Sequence, residues 1–64
     1  MTNEERLSWI ADWIEEGNQI EILGIRQGRV MRVRVRLIYD APRPLDLDKD
    51  NLTDALDAAI EATQ

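Results

Sequence analysis

Sixty-four residues carrying 13 acidic and 8 basic side chains, with a formal net charge of −5, define one domain, 1–64, whose core lies near the lower limit for independent folding. The absence of cysteine and histidine excludes disulfide staples, a Cys/His zinc site and any Ser/His or Cys/His nucleophile, so oligomerisation is the expected substitute for the missing supports. No apolar run approaches membrane-spanning length and the start Met1-Thr2-Asn3-Glu4-Glu5 is acidic, unlike a secretory signal, which points to a soluble cytoplasmic protein.

The first element is a helix over about 3–16. Thr2 or Asn3 can cap it, Glu4 and Glu5 suit its positive end, and Gly17-Asn18 supplies the stop. Leu7, Ile10, Ala11 and Ile14 share one stripe at 100° per residue, and Trp9 and Trp13 widen it. Trp13 is expected to complete the core. Trp9 lies at the margin of the stripe and is a candidate for contacting a partner, because Trp is enriched at binding hot spots.

The second element is a hairpin, with strands at about 19–26 and 29–38 and Gln27-Gly28 as the two-residue bend. Its return strand alternates arginine with apolar residues at the strand period: Val30, Arg32, Val33, Arg34, Val35, Arg36, Leu37. Residues 18–45 sum to about +4, whereas 1–17 and 46–64 sum to about −4 and about −5, so the hairpin is a basic segment between acidic ends. A Gln27-Gly28 bend sets Arg26 opposite Arg29, Ile22 opposite Val33 and Glu21 opposite Arg34. One face is then apolar core, and the other carries Leu23, Ile25, Val30, Arg32, Arg34 and Arg36 toward solvent or a partner.

Pro42 and Pro44 remove two backbone donors, so 40–49 reads as a stiff linker. A last helix over about 51–62, capped by Asp50 or Asn51, presents Leu52, Ala55, Leu56, Ala59 and Ile60 on one stripe. The fold class is therefore α+β, in the order α-β-β-α, with both helices on the apolar face of the hairpin. A two-stranded ribbon leaves both its edges open, and dimerisation offers a way to extend it into a larger sheet.

The chain has a single Ser8, Lys49 and Tyr39, too little for nucleophilic catalysis in so small a volume, and no cofactor-binding motif. No catalytic residue is assigned. Asp46, Asp48, Asp50, Asp54 and Asp57 fall at carboxylate positions of a calcium loop, but Asn51 replaces its glycine and prolines stand where its leading helix belongs. An acidic helix start is the simpler account.

Arginines on a ribbon also suit phosphate contact, against which stand the negative net charge and the lack of stacking aromatics. A further alternative is an acidic mimic of nucleic acid of the kind used by phage inhibitors. The expectation is a non-enzymatic protein-binding module, homodimeric, serving an accessory, regulatory or inhibitory role. Its partner-binding residues are Trp9, Leu23, Ile25, Val30, Arg32, Arg34 and Arg36.

Overall fold

Helix α1, Asn3–Glu15, starts at a complete capping box: Thr2 Oγ1 accepts from the Glu5 amide at 3.2 Å and the Glu5 carboxylate accepts from the Thr2 amide at 3.0 Å. It ends where Gly17 takes φ +89°, the left-handed geometry that releases the chain from the helix. The computed structural model describes residues 1–64. After α1 come β1 (Gln19–Gln27), β2 (Val30–Ile38), β3 (Leu45–Lys49) and α2 (Leu52–Ala62). The strands form an antiparallel meander, β1-β2-β3, and the helices pack on one of its faces.

Two features of the hairpin differ from expectation. The loop is Gly28-Arg29, with Gln27 opposite Val30 and positive φ at Gly28 alone (+62°), the requirement of a type II′ turn. The register is therefore displaced by two residues: Ile22 faces Val35, Leu23 faces Arg34 and Glu21 faces Arg36. Because the side-chain period is two, this shift leaves every residue on its expected face. Arg26 and Arg29 are spared the like-charge opposition that the Gln27-Gly28 bend demanded, since Arg26 now faces Met31.

The segment read as a linker is the larger correction. Leu45–Lys49 forms a third strand on the open edge of β2, with Leu45 opposite Leu37, Leu47 opposite Val35, and Asp46 and Asp48 opposite Arg36 and Arg34. The prolines precede it and cost it no donor. The architecture is thus α-β-β-β-α, and β2 is a central strand rather than half of a ribbon.

Val35 and Leu37 are fully buried under α2, which contributes Ala55, Leu56, Ala59 and Ile60. Asn51 caps α2 through the Asp54 amide at 2.8 Å. Trp13 completes the core from α1 and donates its indole N–H to the Gln19 carbonyl at 2.8 Å, which ties the end of α1 to the start of β1. Arg6 grips Asp57 with two hydrogen bonds, Nε to Oδ1 at 2.7 Å and Nη2 to Oδ2 at 3.0 Å, and so joins the two helices.

Leu7, Ala11 and Ile14, expected in the core stripe, are exposed. The buried line of α1 runs through Arg6, Trp9, Ile10 and Trp13 instead, because α1 turns its aromatic side to the sheet. Leu52, expected on the buried stripe of α2, is likewise exposed.

Candidate interaction surface

The solvent face of the sheet carries the arginine row in a layout the sequence reading did not foresee. Arg34 binds Asp48 side-on, Nε to Oδ1 at 2.7 Å and Nη2 to Oδ2 at 3.0 Å, and Arg36 binds Asp46 with the same two distances. Arg32 donates to Asp50 at 2.9 Å and to the Asp48 carbonyl at 3.4 Å. The forks of Arg34 and Arg36 each match a carboxylate, whereas Arg32 divides its bonds between a carboxylate and a backbone carbonyl. Hydrogen bonds from Arg36 and Arg34 hold the Asp46 and Asp48 carboxyls below their ordinary range, and the same bonds raise the two guanidinium groups. With Glu21 beside Arg36, three guanidinium charges meet four carboxylates, and the face expected to be cationic is neutralised by its own chain.

The five acids of the calcium-like string are separated by the same arrangement. Asp46 and Asp48 sit on a strand, Asp50 follows it, Asp54 accepts from the Asn51 side chain at 3.0 Å, and Asp57 is held by Arg6. No three carboxylates converge on a point that could hold a metal ion. The spacing that resembled a calcium loop is the alternation of a strand followed by a helix cap.

What remains free is the end of the hairpin. β3 pairs only with Val33–Leu37, so Ile25–Arg32 projects as a two-stranded arm about 10 Å beyond the third strand, at the usual rise per residue. Its apolar side chains lie on both faces. Leu23 at its root and Val30 on the solvent face are exposed, Ile25 is half-buried, and on the helical face Ile22 and Met31 are open, Val30 and Met31 at 57% and 56% exposure. Gly24, between them, has only the Met31 methyl near the place a Cβ would occupy. Of the arm's three arginines, Arg26 and Arg29 join no salt bridge, whereas Arg32, like Arg6, Arg34 and Arg36, does.

Of the seven residues expected to contact a partner, Leu23, Ile25, Val30 and Arg32 come together on the arm's solvent face. Arg34 and Arg36 lie farther along the same face, bound to β3. Trp9 does not join them. It is on the helical side of the sheet, half-buried, stacked on Trp13 with ring centroids 5.5 Å apart, and is thereby drawn into the core it was expected to leave.

Ile22, Met31, Arg26 and Arg29 belong to the free surface and were not among the expected partner-binding residues. The five-residue length of β3 against nine in β1 and β2 is the signal that exposes Met31, Arg26 and Arg29, whereas Ile22 is level with β3, on the open edge strand. A groove of about 330 Å³ between the helices is lined by Asn3, Arg6, Leu7, Leu52, Thr53 and Leu56. No helix is long and apolar enough to cross a membrane. No known protein family, curated protein or solved structure matches the chain.

Proposed function

We propose that this protein is a non-enzymatic protein-binding module that docks through its hairpin arm and acts as a small accessory, regulatory or inhibitory protein in the cytoplasm. The observation that carries this reading is the arm itself. Only seven of 64 residues are buried, all of them apolar, while Ile22 and Leu23 are exposed on the edge strand β1, and Val30 and Met31 are exposed beyond the end of β3. Concentrated apolar exposure of this kind marks interaction surfaces on soluble proteins.

The capture of Arg34 and Arg36 by carboxylates weighs against phosphate recognition, because a guanidinium already in a bidentate pair must surrender it to bind a phosphate. The cysteine-free composition suits a reducing compartment. A photo-crosslinking side chain placed at Leu23 or Val30 in living cells tests the reading. The expected result is a discrete protein adduct from both positions and none from Glu61 on the polar side of α2. Absence of protein adducts at the arm, or adducts with nucleic acid alone, contradicts it.

A further inference from the structure

The two edges of the sheet are unlike. β3 is short, carries Asp46, Asp48 and Lys49, and is preceded by two prolines, which are the usual devices against edge-to-edge pairing. β1 is less guarded: its only charged residues are Glu21 and Arg26. It runs nine residues without a proline, and no strand pairs with its outer side. An edge of that length, flanked by exposed Ile22 and Leu23, is a template for another strand.

Resting on the reading of the arm as a docking surface, we propose that its partner is a second copy of this chain. The two β1 strands pair antiparallel about a two-fold axis through Gly24, giving a six-stranded sheet. A two-fold axis normal to the sheet requires side chains of one face to meet side chains of the same face, so the pairing centres on a residue. Centring on Leu23 sets Glu21 opposite the partner's Ile25, and centring on Ile22 sets Glu21 opposite the partner's Leu23. Centring on Gly24 sets Leu23 opposite the partner's Ile25 and Glu21 opposite the partner's Gln27. On the helical face it places the aliphatic stem of Arg26 against the partner's Ile22.

Charge selects the same arrangement independently. In this register the tip of one arm lies beside the start of the other β1, where α1 ends in Glu15 and Glu16. That last turn carries no basic residue, so two carboxylates add to the negative end of the helix dipole with nothing to offset them. The arm tip brings Arg26 and Arg29, two guanidinium groups that form no salt bridge within the chain. Each copy thus supplies the counter-charge the other lacks, twice by symmetry.

Sedimentation of the purified full chain from micromolar to near-millimolar concentration, with charge reversals at these exposed positions, tests the proposal. The wild type is expected to shift from monomer to dimer. The pair Arg26→Glu with Arg29→Glu, and separately Glu15→Lys with Glu16→Lys, weakens the dimer about tenfold or more, and the fourfold variant combining both reversals restores it. Circular dichroism checks that each variant is folded.

A second variant away from the arm-tip ion pairs, Leu23→Lys with Ile25→Lys, sets lysines opposite lysines at the centre of the pairing and abolishes the dimer. A wild type that stays monomeric throughout overturns the proposal, as does a dimer indifferent to the reversals or a fourfold variant no tighter than either pair. An arm that crosslinks only to a different protein, with a monomeric wild type, overturns the self-pairing while leaving the arm as a docking surface.

Discussion

Leu37 is fully buried between α2 and the sheet, opposite Ile20 on one side and Leu45 on the other, so its truncation leaves a cavity that no flexible neighbour fills. Leu37→Ala is expected to cost about 3 kcal/mol, a large part of the stability of so small a domain. Leu7 and Ile14 look equivalent in the sequence, and Leu7 is 66% exposed. Their alanine variants are expected to change stability by less than about 0.5 kcal/mol. Urea melts of the three variants check this order, and a large loss at Ile14 with a small one at Leu37 contradicts the assignment of the core. The stripe of α1 was ambiguous in the sequence because apolar residues occupy most of its circumference. Helical periodicity gave a wide arc, and the choice within it falls to the indoles of Trp9 and Trp13, which bury more area than Leu7 and Ile14 can.

β3 is where local sequence and tertiary structure part. Asp is a poor strand residue, and Leu45-Asp46-Leu47-Asp48-Lys49, following two prolines and leading into a helix cap, gave no autonomous strand signal. Only against β2 does the alternation become meaningful: leucines meet Leu37 and Val35 on one face, and aspartates meet Arg36 and Arg34 on the other. By contrast, α1, α2 and the two faces of the hairpin were legible, because capping residues and periods of 3.6 and two are local. The two-residue shift of the turn shows how face assignment survives an error of register.

The charge pairing of β3 predicts a pH dependence. Asp46 and Asp48 ionise in the folded protein below their ordinary range because of their bonds to Arg36 and Arg34. Their stabilisation is therefore fully present above the unfolded value near about 4 and is lost as pH falls through the lower folded values. The melting-temperature gap between wild type and the Asp46→Asn, Asp48→Asn double variant is expected to be clear at neutral pH and to close between about pH 5 and about pH 2. A gap that stays constant with pH indicates that the carboxylates contribute packing rather than charge.

At the scale of the whole molecule, a chain with seven buried residues divides its surface into a part it has neutralised and a part it has left open. The arginine row, the most conspicuous pattern in the sequence, belongs to the first part. It serves as internal glue for β3, since its counter-charges come from the acidic string just downstream. The arm belongs to the second, and its extent follows from a difference in strand length that becomes visible only once β3 is recognised. Leu23, Ile25 and Val30 were legible as partner residues because strand alternation put them outside. Met31, Arg26 and Arg29 were not, because they become free only where β3 stops short, and Ile22 was not, because strand alternation assigned it to the core face.

The central claim, that two copies of the molecule meet along β1, is tested most directly by amide hydrogen exchange resolved by residue in dilute and concentrated protein. The expected result is protection that rises with concentration within Gln19–Gln27, with Leu45–Lys49 unchanged. Exchange in β1 that is independent of concentration, or new protection at the β3 edge instead, contradicts it.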